Sequence, residues 1–497
     1  SAAWLDFPYP RVGSEGLILY ETLLVKRGGD LYPPITPERF ISGPYPPVYY
    51  YLAAPLLPDT LPDFSRAGAV DSIFAGGRTV SLVAAIVAAV MVALLVVLQG
   101  GYGRLGRRGR AVAVAGGALG GLLLLSLPQV TVWATRFRGD MLMVALTAAG
   151  LVCVAAGARE QGEHPRWWLL WAGAALFALA LFTKHTALAG PGAAAAYLLL
   201  RDVRVGLKWA AGMAGLVLVP FAALDIATGH WFYLKMVDYH ALPLRALTLS
   251  RLLEQAFWED QWPLIVASVG YVGLTAYLAW RGRRRGEWRR APLLIALYTM
   301  AAIVTLPTGA VVGADHNHLL LAGLAVASGT GALVAWLLDR VLSRGGALVA
   351  VGGVAVAGLV LAHVLWTSEP SRWYDPDLAV PGQAQQEQLR QIVDNARRYP
   401  GTLAFSDDPG FVALAAKQTD YDDPFTMTAL ALSGRWDEAA FRDRLRSGDF
   451  ALLVLSCDVN RPDTCRSDTF TPGVLDAIRD GYDILYRDVL FTYVPKN

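Results

Sequence analysis

Charge is scarce in this chain. Only 17% of its 497 residues are Asp, Glu, Lys or Arg, against about 25% in a soluble domain. With 55% hydrophobic residues and a mean hydropathy of +0.39, the composition excludes an ordinary soluble protein and reads as a polytopic α-helical membrane protein. Cysteine is scarcer still, with three in all. No Cys-x-x-Cys or His-Glu-x-x-His spacing occurs, which removes the common zinc classes. Cys153 lies in an apolar run and reads as a small buried hydrophobe. Cys457 and Cys465, eight apart in a polar stretch, fit a disulfide on an oxidising, non-cytoplasmic side, with two free thiols as the alternative. The net charge is only +2 and the basic residues are segregated into loops, so no face is marked for nucleic acid.

Ionisable side chains are also missing from the middle of the apolar runs. Asp225 sits at an outer end and His363 close to a helix end. Transporters and pumps usually place charged or broken helices at the bilayer midplane, so this pattern disfavours a transporter or flippase.

What is present is a series of ten nearly charge-free runs: 79–103, 111–135, 141–158, 167–183, 185–200, 209–224, 261–280, 291–314, 319–338 and 345–368. Most approach the ~20 residues a bilayer requires. The pair on either side of Lys184-His185 reads as two spans or as one broken helix. Alternate loops carry seventeen Lys or Arg and the opposite set six, which places the first set in the cytoplasm of a plasma or inner membrane. The N-terminal loop and the C-terminal part then both lie outside. Ser1 is not an initiator methionine, and one further span is expected ahead of Asp6.

Three regions follow. Residues 1–77 form an extracytoplasmic loop rich in Pro and aromatics, with interfacial amphipathic helices, the first having Ser14 near its N-cap. Residues 78–368 form the transmembrane helical domain. Residues 369–497 alternate strand and helix patterns (helices over 383–398, 436–446 and 473–479, strands over 402–405, 451–455 and within 482–493) and read as a small α/β domain, a lid or docking surface for a protein partner. It contains no Gly-x-Gly-x-x-Gly or P-loop that would mark a nucleotide site.

The polar residues gather at the outer ends of the spans: Arg136, Arg138 and Asp140; Lys184 and His185; His230, Lys235, Asp238 and His240; Asp315, His316, Asn317 and His318. With Asp6, Glu15 and Arg78 they would ring an outward-facing cavity suited to a lipid-linked substrate. A carboxylate there can take the proton of an acceptor hydroxyl attacking a sugar C1. Cations can hold a lipid phosphate as its charge builds, and carboxylates with His316 and His318 could hold a divalent cation.

The order of these features resembles the C-type glycosyltransferase superfamily, in the bacterial branch similar to protein O-mannosyltransferases and the lipid A aminoarabinose transferase. The residues that carry the resemblance are the acid in the first outer loop, Gly29-Asp30-Leu31-Tyr32, Tyr45-Pro46-Pro47-Val48-Tyr49, Gly77-Arg78-Thr79-Val80-Ser81, Arg136-Phe137-Arg138-Gly139-Asp140 and Thr183-Lys184-His185-Thr186. The resemblance implies an inverting transferase that moves a sugar from a polyprenyl-phosphate donor to a glycan, lipid or protein acceptor, with a first-loop carboxylate as base. Glu15 matches the second position of the family's acidic pair, and Ser14 stands at the first. Either Glu15 carries the base, or Asp6 reaches in, or the chain is an inactive scaffold or assembly subunit; Glu15 is favoured. Asp140 matches the acid of the second outer loop. Arg138, Lys184, Arg78 and His185 are the candidate phosphate ligands, and His316, Asn317 and His318 the candidate sugar or metal contacts.

Overall fold

The structure, a computed structural model, describes residues 2–11, 13–65, 71–99, 106–158, 164–242, 244–254, 261–283, 292–344 and 380–496. Short helices come first: α1 (Ala2–Leu5), α2 (Gly13–Lys26) and α3 (Val48–Ala53). The bundle follows with α4 (Ala75–Gln99), α5 (Gly106–Ser126), α6 (Pro128–Trp133), α7 (Asp140–Gly157), α8 (Trp167–Leu181), α9 (Ala189–Arg201) and α10 (Val203–Ala227). After the short α11 (Trp231–Tyr233) and α12 (Ala246–Leu253), it is completed by α13 (Trp262–Arg283), α14 (Leu293–Thr305) and α15 (Leu320–Arg344). Helix α4 packs on α5 and α7, α7 on α8, and α15 on α5 and α13, around a core of Ala, Leu and Val. Glycines set the closest approaches: a Cβ on Gly117 would stand 2.6 Å from the carbonyl oxygen of Ala93, so α4 and α5 meet backbone to backbone.

Among the described residues seven helices are long and apolar enough to cross a membrane, and the chain is a multi-pass membrane protein. Seven of the ten expected spans correspond to these helices, the run 111–135 through its first part alone. The run 345–368 lies outside the described residues. The runs 167–183 and 185–200 form two helices of 15 and 13 residues, with Lys184 and His185 in the connection between them. The run 111–135 is interrupted, because Leu127 is extended ahead of Pro128, which starts α6 and could not have continued α5. The basic loops 104–110, 159–166 and 281–290 lie partly outside the described residues.

The C-terminal region contains α16 (Gln383–Arg398), α17 (Pro409–Leu414), α18 (Pro424–Leu432), α19 (Ala439–Arg446) and α20 (Pro472–Gly481). They surround a four-stranded sheet of β1 (Ala404–Ser406), β2 (Leu452–Leu455), β3 (Tyr482–Arg487) and β4 (Phe491–Pro495), in the order β1-β2-β4-β3. β1 and β2 run parallel, while β4 pairs antiparallel with both β2 and β3. The disulfide Cys457–Cys465 is formed. Helices α17 and α18 begin at Asp-Pro pairs in which Asp408 and Asp423 cap the following turn.

Helix α2 departs from the expected interfacial helix. Glu15, Leu17, Ile18, Leu19, Tyr20, Glu21, Thr22 and Leu23 are all buried, so neither face meets water. It packs on α3 and on α17, and the Glu15–Arg78 pair joins it to α4. Gly16 permits this: a Cβ there would lie 1.7 Å from Asp408 Oδ1 and 2.7 Å from the Gly410 nitrogen. Phe40 pairs with the chain at Tyr421 through backbone bonds to Asp420 and Asp422, and Tyr20 Oη both accepts from and donates to the Thr419 backbone. The first and last regions therefore share one apolar core.

Candidate functional site

Three charged clusters occupy the end of the bundle where the first loop meets it. The first is built on the 136–140 turn, which α6 and α7 hold at both ends. Asp140, the first residue of α7, accepts from Arg138 Nε at 3.1 Å, from Asn317 Nδ2 at 3.0 Å and from Lys184 Nζ. Arg138 also donates to the Tyr45 hydroxyl. Arg138, Asp140 and Lys184 are each no more than 5% exposed. Burying two cations against one carboxylate is costly unless a further anion shares the site. A small cavity adjoins the cluster, with Ile18, Tyr45, Tyr49, Tyr50, Asp140 and Lys184 among its walls. Two buried polar atoms near the cluster, Asn317 Oδ1 and His185 Nδ1, lack a hydrogen-bond partner. Such orphans are rare in folded interiors and mark places where a ligand completes the bonding.

The second cluster centres on Glu15 and Arg78, both fully buried. Glu15 is fully buried and its carboxylate accepts four hydrogen bonds: from Arg78 Nε (2.8 Å) and the Phe137 amide (2.6 Å) on Oε1, and from Arg78 Nη2 and the Arg11 amide (both 2.9 Å) on Oε2. Burial alone would raise this carboxyl, but Arg78 and the two amides outweigh it and hold it below the ordinary carboxylate range. The remaining Arg78 donors go to the carbonyls of Trp4, Phe7 and Tyr9. This geometry corrects the expectation for Arg78: every guanidinium nitrogen is engaged, and no donor is left for a phosphate. The Glu15 carboxylate is likewise saturated, and it is not in the cavity wall. Asp6 is exposed while its neighbours Phe7 and Tyr9 are buried, so it does not reach into the clusters.

The third cluster joins Arg136 to Asp315 at 3.5 Å, with Asp315 also bonded to His316 Nδ1 at 2.9 Å. His318 Nδ1 meets Thr308 Oγ1 at 3.3 Å. The His185 ring packs edge-on against His240, 4.7 Å between centroids. Burial, then His240 and Lys184, lowers His185, and burial likewise lowers His240, so both imidazoles are neutral near pH 7. The structure thus brings Arg138, Asp140, Lys184 and Asn317 together with His185 beside them, pairs Glu15 with Arg78, and sets His316 on Asp315.

Among the described residues no three carboxylate, imidazole or thiol groups converge as a metal site requires, and the carboxylates of Asp140 and Asp315 are already held by cations. The described side chains therefore offer no ready set of ligands for a divalent cation.

Tyr45, of the Tyr45-Pro46-Pro47-Val48-Tyr49 motif, and Glu21 join the charged clusters only through the tertiary structure. Glu21, fully buried, accepts from the Tyr50 hydroxyl (2.5 Å), the Gly43 amide (2.7 Å) and the Ser42 hydroxyl (3.2 Å), near Asp422, Asp423 and Lys235. An acid inside the apolar run Leu17–Val25 was the available signal.

No protein-family model matches the sequence, and no curated protein matches it. Solved structures do match in fold. Over 99% of this chain and 95% of theirs, the fold is similar to ArnT from Cupriavidus metallidurans bound to undecaprenyl phosphate, with a TM-score of 0.55 at 14% identity. The oligosaccharyltransferase AglB from Archaeoglobus fulgidus, in complex with an inhibitory peptide and a dolichol-phosphate, gives a TM-score of 0.56 at 12% identity, over 99% of this chain and 71% of that one. An Archaeoglobus fulgidus oligosaccharyltransferase tethered with an acceptor peptide gives a TM-score of 0.51 at 12% identity, over 99% of this chain and 70% of that one. At these identities the likeness is one of fold: this chain shares the overall fold of ArnT and of the archaeal oligosaccharyltransferase.

Proposed function

We propose that the protein is a membrane glycosyltransferase that takes a sugar from a polyprenyl-phosphate donor and passes it to an acceptor on the extracytoplasmic side. One observation carries this reading. Arg138, Lys184 and Asp140 converge beside a cavity whose surroundings hold two orphaned polar atoms, in a fold shared with a protein bound to undecaprenyl phosphate. A phosphate entering between Arg138 and Lys184 competes with Asp140 for the same donors. As it does so, the Asp140 carboxylate is released to accept the proton of the acceptor hydroxyl. The acceptor oxygen bonds to the sugar C1, and the C1–O bond to the phosphate breaks. Its electron pair leaves with the lipid phosphate, where Arg138 and Lys184 stabilise the charge. Attack from the face opposite the phosphate inverts C1. Among the acids considered as base, Asp140 is the one in the cavity wall; Glu15 serves instead to lock the first loop to α4 and to the 136–138 turn.

The test is binding of undecaprenyl phosphate to the detergent-purified protein by native mass spectrometry. Arg138→Gln and Lys184→Gln are each expected to weaken binding at least about tenfold. Binding unchanged in both variants overturns the cradle.

A second reading rests on Ser14 and on the saturated Glu15. With the first acidic position absent and the second fully bonded, the chain would be a scaffold docking partners through 380–496. An Asp140→Asn variant that supports envelope glycan assembly as well as wild type, together with a stoichiometric partner on purification, would favour it.

A further inference from the structure

Charge bookkeeping around the site does not close. Five cations, Arg11, Arg78, Arg136, Arg138 and Lys184, face three carboxylates, Glu15, Asp140 and Asp315. Arg138 and Lys184 against Asp140 leave one excess positive charge, which the proposed donor phosphate answers. Arg11, Arg78 and Arg136 against Glu15 and Asp315 leave another. Arg78 is fully spoken for by Glu15 and three carbonyls, so the excess rests on Arg11 and Arg136.

These two guanidiniums are neighbours. Arg11 Nη1 donates to Thr135 Oγ1 at 2.7 Å, next in the chain to Arg136. Each lies over an indole, Arg11 at 3.8 Å from the Trp4 centroid and Arg136 at 4.3 Å from that of Trp133. Arg138 lies 4.9 Å from the same Trp133 ring, so one indole joins the two cationic clusters. Among the described residues Arg136 Nε is buried without a partner, and the carboxylate ion-paired with Arg136, Asp315, is 3.5 Å away and half exposed. The nearby Asp408 carboxyl is pushed well up by burial, then by Asp407 and Glu15, so it does not supply the missing negative charge. Burial first, then the neighbouring Arg136, pushes Arg11 down to about 10, against the raising effect of Glu15.

We propose that Arg11 and Arg136 form a second anion site, beside the donor cradle and distinct from it, that takes a phosphate-class group. Guanidiniums preoriented on indole faces suit such a group, because they present forked donors while their planes stay stacked. The inference rests on the donor reading only in calling the site the second one. The phosphate has two sources, a second phosphate carried by the donor lipid or an independent anion such as that of a charged acceptor.

Native mass spectrometry of the detergent-purified full chain tests it with three probes: undecaprenyl phosphate, undecaprenyl diphosphate and inorganic phosphate. In wild type, a diphosphate that outbinds the monophosphate by about tenfold, with the advantage lost in Arg11→Gln/Arg136→Gln, assigns the site to the donor's own second phosphate. Simultaneous binding of undecaprenyl phosphate and inorganic phosphate, with only the inorganic phosphate lost in the double variant, assigns it to a separate anion. Arg11→Lys/Arg136→Lys keeps the charges and is expected to retain part of the binding, which separates loss of the site from loss of the fold. Inorganic phosphate bound through Arg11 and Arg136 in a protein that takes no undecaprenyl phosphate would sink the donor reading and leave this site standing. Equal binding of mono- and diphosphate lipids, with no inorganic phosphate bound beside either, overturns the second site.

Discussion

At the scale of single residues, Glu15 shows how a plausible base becomes a structural anchor. Its type and place suggested chemistry, yet four donors occupy its two oxygens. Removing its charge strands Arg78 in the interior. Glu15→Gln is expected to cost about 3–5 kcal/mol, the range for breaking a buried pair from one side. A clear fall in the thermal midpoint of the detergent-solubilised protein would show this, and an unshifted midpoint would contradict it. Asp140→Asn is expected to act differently. It weakens a cluster already in cationic excess, so undecaprenyl phosphate binding should be retained or strengthened while transfer falls by about two orders of magnitude or more, the usual scale for a general base. Measured binding and turnover in the same preparation separate the two effects. The conjunction of Arg138, Asp140 and Lys184 was legible because each stands at the end of an apolar run, and span ends must meet in one layer. The saturation of Glu15 was not, since it depends on an arginine 63 residues away and on an amide 122 away.

At the scale of elements, α2 is held between the bundle and α17, and its buried acid makes that joint sensitive to pH. Burial raises Glu21 to about 7, despite the opposing bonds from Tyr50 and Gly43, and the nearby Lys235 is lowered to about 8, again by burial first. A carboxyl raised in the folded state binds its proton more tightly there than in the unfolded chain. Its contribution is complete below the unfolded value and is lost as pH rises through about 7. Lys235, lowered by folding, works the other way above that range. Thermal midpoints should therefore decline between pH 5 and 7.5, and Glu21→Gln should flatten that decline; an identical slope in the variant would exclude Glu21 as its source. Gly16→Ala tests the same joint by volume alone. The added Cβ meets Asp408 at 1.7 Å, an overlap expected to cost about 1–3 kcal/mol or more. Differential scanning fluorimetry is the check.

At the scale of the whole molecule, the chain closes on itself. Residues near the start pair with residues some 380 positions later, through Ser42 with Asp422 and Tyr9 with Gln386. Amides of α2 should then exchange hydrogen together with those of α17, as one cooperative unit. Independent exchange of the two would show that the interface is not stable. The disulfide Cys457–Cys465 closes a loop of eight residues within this body, and Cys457→Ser/Cys465→Ser should cost about 2–3 kcal/mol by loop entropy.

Composition and period alone were enough for the class of solvent the chain lives in, most of the spans and nearly every element of the C-terminal sheet. Those properties follow from local composition and period, which need no partner to be read. Helices α17 and α18, of six and nine residues, are too short to show an apolar period, and only the Asp-Pro pairs at 408–409 and 423–424 announce them. Tertiary structure alone decided that α2 is buried on both sides and that Arg78 serves Glu15 rather than a phosphate. It alone left Arg11 and Arg136 an anion short. Each of these is a matter of which charges meet across long separations, and electrostatic balance in an interior is set by neighbours in space.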